Sequence, residues 1–359
     1  MNELQSAVIA MSGGVDSSVA AYLMKSRGYR CVGVTMKLFD NEEIGLRREH
    51  TCCSLDDVED ARSVAYRLGI PYYVFNFSDR FRADVIQRFV DAYARGWTPN
   101  PCIDCNRYLK FDKLFLRAKE LGYYYVVTGH YARVARDEQT GRWLLKKAPD
   151  NAKDQSYVLY SLTQEQLAHV QFPLGELQKP EVRAIAEEQG FVNAHKHDSQ
   201  DICFVVNGTY ADFIEQYTGK KYPEGDFVDL QSHVLGRHRG IIRYTIGQRK
   251  GLGLALPEPM YVCAVDPQAN TVTLCRNAEL YSRSVTVRAL NLISVPALAE
   301  PMRLRVKIRY RQPEQWATVT QTGPDELHIE FDEPQRAVTK GQAAVLYDGD
   351  VVVGGGTIS

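Results

Sequence analysis

The sequence predicts an α/β fold in which an N-terminal doubly wound parallel sheet precedes a small central domain and a C-terminal β-barrel. Short apolar runs alternate with helical patterns as far as His130. From about Phe204 the chain is mixed and rich in glycine, and from about Val285 short strand patterns follow one another between Gly, Pro and Asp turns. Strands separated by helices form parallel βαβ units, whereas successive short strands form barrels or sandwiches.

Four strands and four helices are predicted for the N-terminal sheet. The strands are short apolar runs, and each helix shows apolar residues that repeat every three or four positions. A turn with two prolines, 98–106, precedes the fourth helix. The predicted strands are Ala7–Met11, Cys31–Met36, Tyr72–Phe77 and Tyr123–His130, and the predicted helices lie at Val19–Met24, between the cap Ser54 and the stop Gly69, at Phe81–Gly96 and at Arg107–Gly122.

After His130 the sequence pattern predicts a hairpin and then two helices. The signals are the hairpin turn Thr140-Gly141, the capping-box pair Thr163 and Gln166, and Pro180 in a first helical turn. We therefore divide the chain into a first domain at 1–205, a central mixed domain at 206–283 and a barrel at 284–359.

Composition limits the classes of function. The chain has 359 residues and 45% apolar composition, more than one domain at roughly 150 residues each. Its 43 Lys and Arg nearly balance its 44 Asp and Glu, so any basic surface must be local. No charged start precedes an apolar run, and no stretch approaches the ~18 apolar residues of a membrane helix. Eight cysteines without such a leader are typical of a reducing compartment, so we expect a cytoplasmic protein without membrane contact.

The segment SGGVDSS, Ser12–Ser18, lies between a predicted strand and a predicted helix and has the composition of a phosphate loop. Gly13 and Gly14 allow a tight turn, and the N–H groups at the start of a helix attract anions. The serines add hydroxyl donors, and Asp16 could hold a magnesium ion or orient the loop. The lysine of the Walker loop is absent. An ordinary strand–helix turn with a serine cap is the alternative.

Two more candidates lie at strand ends, because ligands of an open parallel sheet bind beyond the carboxyl ends of its strands. These ends carry Met36 and Gly129-His130. Met36 suits either an adenine contact or the core.

Three cysteines are candidates for chemistry. Cys102 and Cys105 lie in the proline-containing turn before a helix, and Cys203 follows a polar stretch. A helix N-terminus lowers the pKa of a thiol, and CxxC also suits redox chemistry or a metal. The four ligands of a structural zinc are not evident, although two nearby histidines could complete a site. Those histidines are His195 and His197; Cys52-Cys53 have no predicted role, and Cys31, Cys263 and Cys275 are predicted to be buried.

Eight segments, in order along the chain, carry a resemblance to a known family. They are MSGGVDSS, TPNPxxxCNRYLKF, VTGHYAR, KDQSYVLY, GELQKPEVRAIAEEQG, DSQDICF, YTIGQRKGLG and KIRYRQ. Together they resemble the tRNA-specific 2-thiouridylases, the MnmA (TrmU) family of the ATP-pyrophosphatase superfamily with its pyrophosphate loop (PP-loop). The resemblance runs from about Ala7 to the C-terminus. It implies a Rossmann-like PP-loop domain and ATP-dependent 2-thiolation of the wobble uridine, position 34, of tRNA.

The resemblance assigns roles to residues of this chain. Cys105 falls on the family's nucleophile and Cys203 on the cysteine that carries a persulfide. It further implies ATP with Mg²⁺, tRNA, and a persulfide donor protein, either a cysteine desulfurase or a sulfur relay protein. The ATP contacts fall on Ala10, Met11, Ser12, Gly13, Gly14, Val15, Asp16, Ser17, Met36 and Gly129, the target-base segment on Asn100, Pro101 and Cys102, and the tRNA contacts on Lys153, Asp154, Gln155, Arg309 and Tyr310.

The chain departs from the family pattern at two places. Cys102 stands where the family has an aspartate, so an acid–base role for that aspartate cannot be carried over, and DSTGICF reads DSQDICF. The extra thiol leaves a second route open, in which Cys102, Cys105 and Cys203 hold an iron–sulfur cluster with one open iron. We favour the persulfide route. Because Cys105 and Cys203 must meet, we expect the segment around Cys203 to move.

One strand pattern predicts a surface for tRNA. In RLRVKIRYRQ five cations alternate with apolar residues and Tyr310, so all five should line one face of a strand. They could contact phosphates, and replacing Arg309 by alanine should then flatten the salt dependence of tRNA affinity. A solvated outer face of the barrel is the alternative. The five are Arg303, Arg305, Lys307, Arg309 and Arg311, and GRHRGIIRYTIGQRKGLG adds Arg237, Arg239, Arg243, Arg249 and Lys250.

Two other functions remain open at this stage. Another ATP-pyrophosphatase, such as an amidotransferase-type synthetase or a lysidine-type tRNA ligase, would need an amine route instead of paired cysteines. A nucleotide-regulated RNA-binding protein would need no chemistry at all.

Overall fold

The computed structural model describes residues 5–39, 55–196, 202–205 and 208–359. The predicted cap Ser54, the pair Cys52-Cys53 and His197 lie outside these residues.

The N-terminal domain is built on a parallel sheet of five strands in the order β3-β2-β1-β4-β7. The predicted four strands are confirmed, but β4 is shorter than the apolar run, because Thr128–His130 leave the sheet at its carboxyl end. The fifth strand has two residues, too few to give a pattern. The strands are β1 (Ser6–Ala10), β2 (Arg30–Lys37), β3 (Tyr72–Asn76), β4 (Tyr125–Val127) and β7 (Val170–Gln171).

Helices cover both faces of this sheet, as βαβ connections require. Two of them contain π-helical segments, Arg82–Ile86 between α3 and α4 and Cys105–Lys113 between α5 and α6. The helices are α1 (Val15–Ser26), α2 (Leu55–Arg67), α3 (Ser78–Phe81), α4 (Gln87–Ala94), α5 (Pro101–Asp104), α6 (Leu114–Glu120), α7 (Gln164–Ala168), α8 (Lys179–Glu188) and α9 (Tyr210–Thr218), with 3-10 turns at Ser156–Leu159, Ile241–Arg243 and Asn277–Leu280.

Local signals start the later helices where the sequence predicts. Thr163 and Gln166 form a reciprocal capping box at the start of α7. Pro180 lies in the first turn of α8, where its missing N–H costs no hydrogen bond. Lys179 is the first residue of this helix, so the cap fixes the position of its side chain.

The central domain carries a mixed sheet of four strands in the order β10-β11-β8-β9. Only β11 and β8 run parallel within it. The strands are β8 (Gly225–Val228), β9 (Val234–His238), β10 (Tyr261–Asp266) and β11 (Thr271–Cys275).

The C-terminal domain is a closed barrel of six strands, because β12 pairs with both β15 and β17. Alternating residues such as Leu304, Val306, Ala317 and Val319 fill its interior. The strands are β12 (Tyr281–Leu292), β13 (Met302–Lys307), β14 (Gln315–Gly323), β15 (Glu326–Arg336), β16 (Ala343–Asp348) and β17 (Val351–Ile358).

The predicted hairpin at Thr140-Gly141 is confirmed as β5 (Ala132–Arg136) and β6 (Trp143–Lys147). Its sheet partner was not predicted: β6 pairs antiparallel with β17 of the barrel, with Leu145 opposite Val352. The first and last domains therefore share backbone hydrogen bonds.

The three domains meet along the short segment Gly96–Thr98. A side chain at Gly96 would lie 3.0 Å from Val265 O of the central domain. Thr98 N donates to Lys340 O of the barrel at 2.9 Å, and Gln342 Nε2 donates to Thr98 O at 2.7 Å. We call this junction the interdomain seam. It consists of residues 96–98, 245–250, 309–312 and 335–342.

None of the helices in the described ranges is long and apolar enough to cross a membrane.

Candidate nucleotide and cysteine site

The loop between β1 and α1 is shaped by two glycines. Gly13 has φ +77, a conformation that L side chains rarely adopt, and a side chain there would overlap the backbone of Asp57. Gly14 is the N-cap of α1 and has extended backbone. The first N–H groups of the helix therefore point into the loop, where they can bind an anion.

The three serines of the loop do not share one role. Ser17 Oγ and Ser18 Oγ both donate to Gly14 O, at 2.9 and 3.1 Å, and both residues are buried. They hold the loop in shape. Ser12 is exposed and is the serine whose hydroxyl faces the solvent.

A lysine from another helix lies at the loop. Lys179 Nζ contacts both oxygens of Asp16, at 2.7 and 2.8 Å, and Tyr131 Oη donates to Asp16 Oδ1 at 2.8 Å. Asp16 is thus paired with Lys179 and Tyr131, and the two roles predicted for it, holding magnesium and orienting the loop, both stay predictions. Sequence reasoning did not predict Lys179, although the quoted segment GELQKPEVR contains it. Its position depends on the tertiary fold, since 163 residues separate the two partners.

Gly129 is predicted to contact the nucleotide, and the structure places it directly against the loop. A side chain there would lie 2.7 Å from Asp16 C and 2.8 Å from Ser17 N. Asn193 closes the other side, because its Nδ2 donates to Gly13 O and to Ser18 Oγ, each at 2.9 Å.

The remaining predicted nucleotide contacts are apolar and mostly buried. Met36 is only 8% exposed and packs in the core cluster that contains Phe39 and Phe81, so its adenine contact stays a prediction. Met11 and Val15 are also core residues, whereas Ala10 is half-buried at the end of β1.

The target-base segment forms the start of α5. Asn100 is its N-cap and accepts a hydrogen bond from Cys102 N at 3.1 Å, and Pro101 occupies the first helical position. Cys102 lies in the first turn of this helix, and its thiol is exposed. Cys105 lies one turn further on, where the π-helical segment begins.

The expected lowering of the pKa of the Cys105 thiol is wrong for this conformation. Burial raises its pKa to about 11, although the charge of Lys110 opposes the rise. Burial and the same lysine hold the pKa of His130 well below its usual range. Lys110 therefore lies within electrostatic reach of both Cys105 and His130. The Phe111 ring, on the helical segment that begins at Cys105, lies 6.0 Å from the His130 ring. The Cys105 segment therefore packs against the residue that follows Gly129 at the loop.

Cys203 is half-buried and is held by its neighbour Phe204. The Phe204 ring packs edge-on against Phe81 and Phe89, with centroids 5.7 and 5.3 Å apart, and also contacts Phe213 of α9. No disulfide joins the cysteines in the described parts of the chain.

The predicted metal groups are not assembled in this conformation. Across the described ranges, no three His, Cys, Asp or Glu side chains come together as a metal site. His195 is exposed and lies 3.6 Å from Glu187 Oε1. Of the three cysteines predicted to be buried, Cys31 and Cys275 are buried and Cys263 is half-buried.

Comparison with known proteins identifies one family. The family models described as tRNA methyl transferase HUP domain, tRNA methyl transferase PRC-barrel domain and aminomethyltransferase beta-barrel domain match residues 5–207, 211–276 and 282–358. The tRNA-specific 2-thiouridylase MnmA of Clostridioides difficile is 50% identical over 98% of this chain and 97% of the relative. That of Acetivibrio thermocellus is 51% identical over 98% of each chain. The chain belongs to the MnmA family of tRNA-specific 2-thiouridylases.

In this 2-thiouridylase family member, the predicted tRNA-contact segments lie between the nucleotide loop and the barrel. Asp154 is buried and accepts hydrogen bonds from Ala148 N and Ser156 N, and burial raises the pKa of its carboxyl. Gln155 Oε1 accepts from Tyr131 N at 3.0 Å. Lys153 N donates to Asp150 O at 3.0 Å.

The barrel contributes Tyr310 and Arg309 to the same region. Tyr310 Oη donates to Asp154 O at 3.3 Å, so two segments predicted to contact tRNA touch each other. Burial, and then the nearby Asp154 and Cys102, raise the pKa of Tyr310. The barrel thus reaches the target-base turn.

The prediction that five cations line one face of a strand is wrong. Strand β13 ends at Lys307, so the alternation does not continue to Arg309 and Arg311. Arg303 forms a bidentate ion pair with Asp332. Lys307 is half-buried, and burial lowers its pKa.

Arg309 turns inward instead. Its Nη2 donates to Ile246 O at 3.2 Å, Ala337 O at 2.9 Å and Thr339 Oγ1 at 2.6 Å. The guanidinium therefore joins the barrel to the central domain, and its predicted contact with tRNA stays a prediction.

Proposed function

We propose that this chain is a tRNA-uridine 2-sulfurtransferase that adenylates the C2 oxygen of the wobble uridine with ATP and then replaces that oxygen with sulfur. One observation carries the proposal: the helical segment that begins at Cys105 packs against His130, and the neighbouring Gly129 lies against the Gly13-Gly14 loop with its Lys179–Asp16 pair. The names of the relatives support the substrate, since they are tRNA-specific 2-thiouridylases.

The loop suits a departing pyrophosphate. The first N–H groups of α1 and the Ser12 hydroxyl are donors to phosphate oxygens. Lys179 supplies the cation that the loop itself lacks, and Asp16 and Tyr131 hold it in place. Asp16 is the carboxylate of the loop that would hold Mg²⁺ bound together with ATP, and Lys179 would then be available to the phosphates. The metal would neutralise charge on the leaving pyrophosphate.

The first chemical step is attack of the uridine C2 oxygen on the α-phosphate. The bond between the α- and β-phosphates breaks, pyrophosphate leaves, and AMP remains attached through the former carbonyl oxygen. The uridine must leave its stack to react, since its C2 is otherwise hidden. It enters at the start of α5, Asn100–Cys102, where Cys102 is exposed.

The second step transfers sulfur. The terminal sulfur of a persulfide on Cys203 attacks C2, and AMP departs with the oxygen. Cys105 as thiolate then attacks the Cys203 sulfur, which releases 2-thiouridine and leaves a Cys105–Cys203 disulfide. An external dithiol must supply two electrons and two protons to restore the enzyme. Phe204 is packed among three aromatic rings, and we expect the segment around Cys203 to shift when the two thiols meet.

The alternative sulfur route runs through an iron–sulfur cluster on Cys102, Cys105 and Cys203. Neither this three-thiol site nor a Cys105–Cys203 disulfide is assembled among the described residues, so both routes require the thiols to move together. Anaerobic purification followed by iron and sulfide assays decides between the routes. A colourless, iron-free and fully active enzyme excludes the cluster.

The proposal is tested by mass spectrometry of tRNA nucleosides after incubation with the enzyme, ATP and a persulfide donor. We expect 2-thiouridine at position 34 together with tRNA-dependent release of pyrophosphate. Cys105→Ser and Cys203→Ser should abolish the product, and Cys263→Ser is the matched control because Cys263 lies in the central sheet.

The outcomes also separate the competing functions. A PP-loop ligase would keep its activity in both cysteine variants. An RNA-binding protein without chemistry would release no pyrophosphate in the presence of tRNA.

A further inference from the structure

Two cysteines of the central domain take no part in the proposed reaction. Cys263 lies on β10 and Cys275 is the last residue of β11, and both are free thiols. These two strands pair antiparallel, with Tyr261 directly opposite Cys275. Residues that lie opposite each other on paired strands point to the same face of a sheet. The Cys275 side chain therefore shares a face with Tyr261, two residues before Cys263.

A β-bulge brings the second thiol to this face. The register shifts between Val262 and Ala264, so that Cys263 is the extra residue of the longer strand. In a regular ladder Cys263 would lie opposite Thr273 and diagonally across from Cys275, and the shift moves it back toward Cys275. The Cys263 thiol donates to Thr273 O at 3.5 Å, and a side-chain hydrogen bond joins it to the Cys275 thiol. The fold thus holds the two sulfurs in contact without a bond between them.

The two thiols differ in exposure and in acidity. Cys263 is half-buried, whereas Cys275 is only 1% exposed. Burial raises the pKa of both thiols, to about 12 for Cys275, while the hydrogen bond between them lowers the pKa of Cys263 and raises that of Cys275. Cys263 is therefore the thiol that a dissolved reagent can reach and the one that loses its proton first.

The pair lies beside the connection from the central sheet to the barrel. The 3-10 turn Asn277–Leu280 follows β11 and leads into β12. Glu279 of this turn acts electrostatically on both thiols, and Arg336 of the interdomain seam acts on Cys275. The Arg336 guanidinium also stacks over the Tyr261 ring at 5.0 Å and donates to Asn277 Oδ1 at 2.9 Å. A bond between the two sulfurs would tie β10 to this connection.

We propose that Cys263 and Cys275 are a redox-active pair that low-molecular-weight disulfides oxidise to an intramolecular disulfide. The Cys263 thiolate attacks one sulfur of the small disulfide, and the first small thiol leaves with the proton that Cys263 gave up. Cys275 then loses its proton and attacks Cys263 Sγ, which releases the second small thiol. Two protein thiols are oxidised while one small disulfide is reduced to two thiols, so no further oxidant is needed.

Such a pair suits a compartment that is normally reducing. Disulfides in cytosolic proteins are usually transient and serve catalysis or redox sensing. Because the thiolate is the reacting form, the raised pKa values keep exchange slow and leave the dithiol as the resting state. Neither cysteine takes part in the proposed sulfur transfer, so this role is independent of that function.

Treatment of the reduced full-length chain with oxidised glutathione tests the proposal. The reaction runs at about pH 8, where more of each thiol is ionised than at neutral pH. Remaining thiols are blocked with N-ethylmaleimide, and the peptides are mapped by mass spectrometry without reduction. We expect a peptide pair linked through Cys263 and Cys275, and the linked fraction should fall again when reduced glutathione is added in excess.

Single variants separate the two steps of the exchange. Cys275→Ser should stop after the first step, so that glutathione stays attached to Cys263, a product that does not accumulate in the wild type. In Cys263→Ser the buried Cys275 should remain unmodified. Melting temperatures of the reduced variants check that they fold.

Cys31 is the internal control. Burial raises its pKa to about 11, and its thiol donates to Tyr29 O at 3.4 Å, but no second thiol contacts it among the described residues. It should stay reduced under conditions that link Cys263 to Cys275. A wild-type chain in which Cys263 stays reduced like Cys31, or keeps its glutathione because Cys275 does not displace it, overturns the proposal. Either result would leave the test of 2-thiouridine formation untouched.

Discussion

At the scale of single residues, the nucleotide loop shows what sequence can and cannot predict. The spacing of glycines and serines in SGGVDSS is a local signal, and the loop geometry agrees with it. Lys179 could not be found this way, because it reaches Asp16 only through the packing of α8 beside α1. The loop sequence contains no lysine, but the fold brings Lys179 of α8 to the loop.

Lys179→Met should abolish ATP use. The variant removes a cation at the phosphates, and loss of one such electrostatic contact typically costs 100-fold or more in rate. Tyr131 still donates to Asp16 in this variant, but the half-buried carboxylate loses its counter-charge, so the melting temperature should also fall. Release of pyrophosphate in the presence of tRNA measures the activity, and thermal unfolding measures the stability.

The double variant Asp16→Asn/Lys179→Met separates the two effects, since it should recover stability without activity. Lys196→Met is the matched control, because Lys196 also pairs with two carboxylates, Asp57 and Asp60, at 2.6 Å each. Activity of Lys179→Met within a few-fold of wild type would contradict the role at the phosphates.

The raised pKa of Cys105 predicts how its reactivity depends on pH. With a pKa of about 11, the thiolate fraction rises tenfold for each pH unit up to that value. Alkylation of Cys105 by iodoacetamide in iron-free Cys102→Ser protein should therefore increase about tenfold from pH 7 to 8 and again from 8 to 9. Peptide mass spectrometry measures the rates.

Lys110→Met should slow the same alkylation further, because it removes the charge that favours the thiolate. A rate that levels off near pH 8 in the parent protein would show that this thiol is not buried as described.

At the scale of elements, most strands and helices follow from local pattern. The four apolar runs became strands, and the capping box at Thr163 started its helix where expected. The π-helical segment Cys105–Lys113 was not predictable, because its apolar residues also fit an ordinary helix. Strand β13 shows a second limit: cations that alternate in sequence do not share a face once the strand ends at Lys307.

Arg309→Ala tests the turn after β13. Removing the guanidinium leaves Ile246 O without its side-chain donor and removes one of two donors to Ala337 O, since Thr339 Oγ1 still donates to that oxygen at 2.8 Å. We therefore expect a loss of about 1–3 kcal/mol in the free energy of unfolding. Urea unfolding measures this loss. Arg305→Ala is the control on β13, because Arg305 is exposed and stacks only against the Trp316 ring among the contacts described.

The salt slope of tRNA binding adds a second readout for the same variant. A flattened slope with little loss of stability would favour the tRNA contact expected from the sequence. A stability loss with an unchanged slope would assign Arg309 to the domain junction.

At the scale of the whole molecule, the sequence predicted the order of architectures correctly: parallel sheet, mixed domain, barrel. It could not predict how the domains join, because pairing between β6 and β17 depends on register and not on composition. The division at 1–205, 206–283 and 284–359 stays a prediction, as does the cytoplasmic location.

The hydrogen bonds between β6 and β17 predict cooperative unfolding of the first domain and the barrel. The three tryptophans report on different places: Trp97 at the seam, Trp143 on β6 and Trp316 on β14. Variants that keep one tryptophan each, with phenylalanine at the other two positions, should show coincident urea midpoints by fluorescence. Midpoints for Trp97 and Trp316 separated by more than about 0.5 M urea would mean that the barrel unfolds on its own.

The pairing of β6 with β17 also has a consequence for synthesis. Arg133 on the neighbouring strand β5 is bonded to Asp350, a partner 217 residues further along the chain. At the roughly 5–20 residues per second of translation, the hairpin waits on the order of 10–40 s for that partner to be made. During that interval Trp143–Lys147 is an open strand edge on the ribosome, and a chaperone that covers such edges should bind the nascent chain until the barrel is complete.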